Sequence, residues 1–337
     1  MMTPDAYKAI KELLALPKKI VIIPHRNPDG DAMGSTLGLY HFLLQKGHQA
    51  TVIAPNEFPD FLDYLPASDT VKVFEKETEI STRLLKEAEV VFTLDFNTLS
   101  RTGDQMEAVL KAITPTFIMI DHHQKPDTYA AYTFSDTNYG STCEMVYHFI
   151  HGLGEELYIN KTVATCLYTG IVTDSGSFRY PLTTGTTHRI VADFIDKGID
   201  NSTIHSLLFD NHSHNRIQIL ARALQNMKVL PAYKTSYTSL SQEELNSFGH
   251  AKGDTEGIVN YGLSMKDINF TAFFTENKDE GIIKISFRSK GGFDVNQYAR
   301  QYFSGGGHIN AAGGKSTESL EATIQKFIAT LAHIKID

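Results

Sequence analysis

Tryptophan is absent from this 337-residue chain, cysteine occurs twice, and no apolar run approaches the roughly 20 residues that a membrane helix requires. Cys143 and Cys166 lie in apolar, helix-like contexts without CxxC spacing. That excludes a zinc knuckle or a redox pair and predicts two buried free thiols. Basic residues are also short: 31 Lys and Arg stand against 39 Asp and Glu, for a net charge of −8. A broad basic face for coating long duplexes is thereby excluded, whereas a small anionic substrate is not. The first residues, MMTPDAYKAIKELLALPKKI, carry charges through an amphipathic helical pattern and lack the apolar core and cleavage site of a signal peptide. A cytoplasmic protein with no membrane partner is expected. No internal repeat or low-complexity tract interrupts the chain.

What is present divides in two, as the length suggests. Residues 19–23 (KIVII), 90–94 (VVFTL) and 116–120 (TFIMI) are short β-branched runs without strict alternation, as in strands buried on both faces of a parallel sheet. Helix-like spacing over 32–47, 81–88 and 104–112 separates them. The fold class expected is α/β, with a doubly wound, mostly parallel sheet. Further helices are expected over 141–151, 160–172 and 186–197. From about residue 230 the texture changes: NFTAFFTE and GIIKISFRS alternate around NKDEG like an antiparallel hairpin. The domains are therefore expected at 1–197 and 230–337, the second a smaller α+β unit. Residues 198–229 are read as a linker and connecting helix, and the active site is expected in the cleft between the domains.

Each of the three strand-like runs is followed by candidate metal ligands. KIVII leads to His25, Asp29 and Asp31, VVFTL to Asp95, and TFIMI to Asp121, His122 and His123. In an open parallel sheet the C-terminal strand edges share one crevice, so these distant residues converge by topology. Asp174, at the end of an apolar helix, adds a fourth contribution. Alone, a DxD in a Gly/Pro-rich loop reads as a turn and a His-His pair as surface; together at successive element ends they read as a site. Four carboxylates in one crevice repel one another unless cations balance them. Two divalent cations would do so. Oxygen and imidazole donors without thiolate suit manganese first, and magnesium, iron or cobalt less strictly. Such a pair serves in-line hydrolysis of a phosphate ester.

HRNPDGDAMGS, the isolated Asp95, DHHQ and TGIVTDSGSFRY closely resemble the four ordered motifs of the DHH phosphoesterase superfamily, over about the first 195 residues. SFRSKGGFDVNQYA and GGGHINAAGG resemble the DHH-associated domain that usually follows. The resemblance implies one metal on His25, Asp29 and Asp95 and another on Asp31, Asp95, His122 and Asp174, with Asp95 shared. It implies that His123 faces the substrate phosphate or protonates the leaving oxygen, and that Asp121 orients a neighbouring imidazole. It also implies substrate binding by Arg288 and by Gly305, Gly306, Gly307 and His308, whose glycines could bring bare backbone amides against an anion. Arg101 is read as a phosphate or interdomain contact, or else as an exposed ion pair.

One DHH domain joined directly to its associated domain is most similar to the NrnA-type oligoribonucleases. That implies short single-stranded RNA and adenosine 3′,5′-bisphosphate as substrates, no long duplex partner, and allows a homodimer. The alternatives are a phosphodiesterase acting on linear or cyclic di-adenylate, and a metal-free nucleotide-binding module.

Overall fold

A computed structural model describes residues 2–336, which form two compact units meeting at Asn211 and His212. In the first unit, strands β1 (Lys19–Ile23), β2 (Gln49–Ala54), β3 (Lys72–Val73), β4 (Val90–Leu94), β5 (Thr116–Asp121) and β6 (Tyr132–Ser135) make one sheet in the order β3-β2-β1-β4-β5-β6. Every pairing is parallel. Its helices are α1 (Pro4–Leu13), α2 (Gly30–Gln45), α3 (Thr78–Glu87), α4 (Asp104–Lys111), α5 (Thr142–Gly152), α6 (Lys161–Asp174), α7 (Gly185–Asp196) and α8 (Asn201–Phe209).

The missing alternation of polar residues in the strands has the anticipated cause. Ile20, Ile22, Phe92 and Ile120 pack on one face with residues of α2, α5 and α6, whereas Val21, Ile23, Val91 and Phe117 pack on the other with Leu85, Met106 and Leu110 of α3 and α4. Both faces are covered, so both must be apolar. β2, β3 and β6 were not anticipated. β2 is QATVIA, with its first three positions outside the core, and β3 has only two residues. Neither gives a long enough apolar run to register.

The order in which strands are added changes sides between the parallel neighbours β1 and β4, with β2 and β3 laid down to one side and β5 and β6 to the other. Loops leaving the C-terminal ends of β1 and β4 diverge and open the crevice used by doubly wound sheets. Helix α6 reaches the same place by close packing on α2. A Cβ on Gly34 would stand 2.5 Å from the Cys166 carbonyl oxygen, and one on Gly170 would stand 2.6 Å from Asp31 Oδ1. With no side chains there, the two helices approach closely, and Gly30 at the start of α2 meets Thr173 near the end of α6. The end of α6 therefore delivers Asp174 to Asp31.

The second unit comprises α9 (His214–Asn226), β7 (Lys228–Leu230), β8 (Thr235–Leu240), α10 (Gln242–Ser247), α11 (Ile258–Leu263), β9 (Phe270–Asn277), β10 (Ile282–Ser289), α12 (Val295–Tyr302), β11 (Gly306–Gly307), β12 (Ala311–Ser316) and α13 (Leu320–Leu331). Its sheet runs β11-β12-β10-β9-β8-β7. β9 and β10 form the anticipated antiparallel hairpin, while β8 joins β9 in parallel across a crossover containing α10 and α11. Phe270, Phe274, Phe287, Tyr298 and Phe327 fill one face. On the other, Ile219 and Ala223 of α9 pack with Leu240, Leu245, Ile258 and Phe273. Residues 198–229 are thus shared out: α8 closes the first unit, and α9 belongs to the core of the second.

Candidate metal centre

His25 follows β1 after Pro24, and Asp29 caps α2. One Asp29 oxygen accepts the amides of Asp31 and Ala32, both at 3.1 Å, while the other lies 3.8 Å from His25 Nε2. A short acidic cap is the local reason that this loop ends in a helix, and the same side chain still faces the crevice. Asn27, held at φ 55, is clasped to Asn56: its amide donates to Asn56 Oδ1 at 2.7 Å, and Asn56 Nδ2 donates to its Oδ1 at 2.8 Å.

Asp95 follows β4 in a left-handed conformation, φ 65, that a non-glycine residue adopts only where its surroundings hold it. Its amide donates to the Ile120 carbonyl at 3.0 Å, fixing the turn against β5. The carboxylate then faces two ways. Oδ2 is 3.4 Å from His25 Nε2, and Oδ1 is 3.3 Å from His122 Nε2. His122 Nε2 is also 3.5 Å from Asp174 Oδ2 and 3.8 Å from Asp31 Oδ2. Two donors on one cation at about 2.1 Å lie roughly 3 Å apart, so these spacings suit shared ions better than direct hydrogen bonds. Within the first unit, ligand atoms of the described residues gather into three sets: His25, Asp29 and Asp95; Asp31, His122 and Asp174; and Asp95, Asp121 and His123.

The ring orientations follow from partners behind the site. His25 Nδ1 is 2.8 Å from the Arg26 carbonyl oxygen and His122 Nδ1 is 3.2 Å from that of Tyr139, which turns each Nε2 inward. His123 Nδ1 is 2.7 Å from Asp121 Oδ1, and its amide donates to Asp121 Oδ2. Asp121 therefore holds the His123 ring. Beyond Asp174, Gly176, Ser177 and Phe178 all have positive φ, so the chain leaves the site through a left-handed turn.

Electrostatically the cluster is short of positive charge. Burial would depress the His25 imidazole, but the Asp95 and Asp29 carboxylates outweigh it and its pKa is raised. The same contest, won by Asp95, Asp174 and Asp31, lifts His122 well above its ordinary value. Burial pushes against ionisation of Asp95 too, yet the His122 and His25 rings hold it well below the usual carboxylate range. Asp31 is pushed up to about 7, by burial first and then by Asp95. Asp174 is raised well above its usual value by burial, then by Asp31 and Asp29. Carboxylates so placed cannot all ionise unaided. Two divalent cations would balance the four of them, so the residues fit such ions. The donors are hard, because burial and Asp31 keep the nearby Cys143 thiol protonated.

Sequence reasoning expected a helix over 141–151 but missed what the first turn of α5 does at the site. Ser141 caps it through the Glu144 amide, and the next two amides, of Thr142 and Cys143, donate to Asp31 Oδ2 at 2.6 Å and Oδ1 at 2.8 Å. Thr142 Oγ1 donates to Asp95 Oδ1 at 2.9 Å. The available signal was the Ser-Thr-Cys-Glu run opening an apolar helix, a capping pattern.

Arg101 lies near enough to His25 for its charge to oppose protonation of that ring, and its carbonyl accepts the Arg26 amide at 2.7 Å. In the second unit, Arg288 on β10 donates to the Phe287 carbonyl at 3.0 Å. The bare amides anticipated in the glycine loop are mostly engaged there. Gly305 donates to the Ala299 carbonyl, Gly307 to Asn296 Oδ1, and His308 to the Ala311 carbonyl. Gly305 and Gly307 also have a packing reason: a Cβ on Gly305 would fall 1.9 Å from the Gly313 carbonyl oxygen, and Gly307 sits at φ 150. Close pairing of β11 with β12 demands them. Among the other histidines, His205 bonds the Tyr168 hydroxyl and His148 packs on Tyr139, as structural residues do.

The model of the DHH family N-terminal domain matches residues 19–171, and that of the DHHA1 domain matches residues 237–334. A bifunctional oligoribonuclease and PAP phosphatase NrnA of Thermus thermophilus is 30% identical over 314 residues, covering 92% of this chain and 88% of that protein. The crystal structure of an exopolyphosphatase-related protein from Bacteroides fragilis superposes with a TM-score of 0.93 at 38% identity, covering 99% of this chain and 97% of that one. RecJ of Thermus thermophilus, solved in complex with Mn2+, shares the fold at 14% identity and a TM-score of 0.55, with 99% of this chain and 55% of that chain covered. No helix among the described residues is long and apolar enough to cross a membrane. Both domain models in order, together with a relative of that identity spanning nearly the whole chain, show that this protein belongs to the DHH family of phosphoesterases.

Proposed function

We propose that this protein hydrolyses short single-stranded oligoribonucleotides to mononucleotides in the cytosol and removes the 3′-phosphate of adenosine 3′,5′-bisphosphate. The observation that carries the reading is the divided Asp95 carboxylate, one oxygen toward His25 and the other toward His122. That arrangement supports two cation sites sharing Asp95, one with His25 and Asp29, the other with Asp31, His122 and Asp174. The names of the curated relatives, oligoribonuclease and PAP phosphatase, supply the substrate class.

Two bound cations, manganese by preference, would polarise the phosphate and lower the pKa of the attacking water. The remaining work falls to side chains. Water gives up a proton to solvent as its oxygen adds to phosphorus, the ester P–O bond breaks, and the departing oxygen takes up a proton. His123, held at Nδ1 by Asp121, is assigned to donate that proton from Nε2. Arg101 is assigned to the phosphate. Arg288 and His308 are assigned to the remainder of the nucleotide through their side chains, with Gly305, Gly306 and Gly307 shaping their loop.

The test is manganese-dependent release of mononucleotides from a labelled RNA dinucleotide. Asp95→Ala should lower it by more than the roughly 10–100-fold caused by losing a residue behind a ligand. Unchanged turnover would overturn the mechanism. Rates on the dinucleotide, adenosine 3′,5′-bisphosphate, linear di-adenylate and pyrophosphate rank the substrates, and a preference for either of the last two would overturn the assignment.

A further inference from the structure

Two of the proposed ligands come from different elements, Asp31 from the first turn of α2 and Asp95 from the loop after β4, and each is a buried carboxylate that repels the other. Something must fix their separation. Thr142, itself fully buried at the first turn of α5, touches both: its amide donates to Asp31 Oδ2 at 2.6 Å and its hydroxyl to Asp95 Oδ1 at 2.9 Å. The Cys143 amide holds the other Asp31 oxygen at 2.8 Å.

We infer that Thr142 is a positioning residue that locks the shared carboxylate Asp95 in register with Asp31 and so sets the affinity of both cation sites. The inference rests on the two-cation reading of this centre. A carboxylate oxygen has two lone pairs. The Thr142 hydroxyl occupies one on Oδ1 and leaves the other toward His122, while Oδ2 keeps its direction toward His25. Without that hydroxyl the Asp95 carboxylate can rotate about its Cβ–Cγ bond, and both sites lose the same ligand geometry. The amide bond to Asp31 is independent of the side chain, so a substitution at Thr142 isolates the hydroxyl.

Valine replaces the hydroxyl by a methyl of similar size, and serine restores it. The test is manganese binding to wild type, Thr142→Val and Thr142→Ser by titration calorimetry, with electron paramagnetic resonance following spin coupling between neighbouring ions. Wild type should bind two ions per chain. Thr142→Val should bind both more weakly, by about 10–100-fold, with diminished coupling, and Thr142→Ser should recover most of the affinity. A structural role alone would lower the melting temperature of the metal-free protein without this parallel loss and rescue. Wild-type affinities in Thr142→Val, or a serine variant as weak as the valine one, would overturn this inference while leaving the two-cation reading intact. A wild type that binds fewer than two ions would overturn both.

Discussion

In the first unit, polar groups at element ends turn toward one centre, whereas in the second unit those of the 305–308 loop turn back into their own sheet. His25, Asp29, Asp95 and His122 are each held from behind so that a donor atom faces the crevice. Gly305, Gly307 and His308 use their amides on Ala299, Asn296 and Ala311. Glycine serves close approach in both units but to different ends. Gly34 and Gly170 bring α6 against α2 and so deliver a ligand; Gly305 and Gly307 bring β11 against β12 and so complete a sheet edge.

That contrast breaks most severely at Gly170. A Cβ there would meet Cys143 Sγ at 2.2 Å and Asp31 Oδ1 at 2.6 Å. Gly170→Ala should cost about 1–3 kcal/mol by overpacking and should also displace Asp31, so thermal melting and manganese titration should both worsen. At the other end of the comparison, Gly305→Ala should lower stability by a similar amount while leaving manganese affinity in the first unit unchanged. Gly306→Ala, whose Cβ would meet nothing nearer than Arg300 Nη2 at 3.4 Å, should do little to either. If Gly306→Ala melted as early as Gly305→Ala, the packing account of this loop would fail.

The gentlest lever is pH. Asp31 and His122 have pKa values raised in the folded protein, so between their unfolded and folded values the native state binds more protons than the unfolded one. Their contribution is therefore full at low pH and lost as pH rises, through about 7 for Asp31 and higher for His122. Each proton changes stability by at most about 1.4 kcal/mol per pH unit. Metal-free protein should melt progressively earlier as pH is raised from 5 to 8, apart from other groups, and manganese should raise the melting temperature most at the alkaline end, where ligands are deprotonated. Melting curves with and without manganese check this; a manganese effect that shrinks with rising pH contradicts it.

Much of the site was legible because a parallel sheet carries its own geometry. Once residues 19–23, 90–94 and 116–120 read as doubly buried strands, the positions after them had to share an edge. The helices over 104–111, 142–152 and 161–174 were visible from apolar spacing for the same local reason. Less was legible where the signal is spread thin. β3 has two residues and β11 another two, and each exists only because a neighbour offers a ladder. The role of α9 in the second core was hidden because Ile219 and Ala223 pack against Leu240, Ile258 and Phe273, residues distant in sequence.

The amino-acid sequence by itself determined which residues could act: the acidic and imidazole side chains, their order, and the strand ends that carry them, because side-chain chemistry and strand periodicity are local. Tertiary structure alone decided how they act together. The left-handed turn that lets Asp95 face two clusters, the glycine contact that brings Asp174 beside Asp31, and the Thr142 bonds that tie Asp31 to Asp95 join segments up to 143 positions apart. Such contacts leave no periodic trace, since each depends on a separation in space that no spacing along the chain encodes.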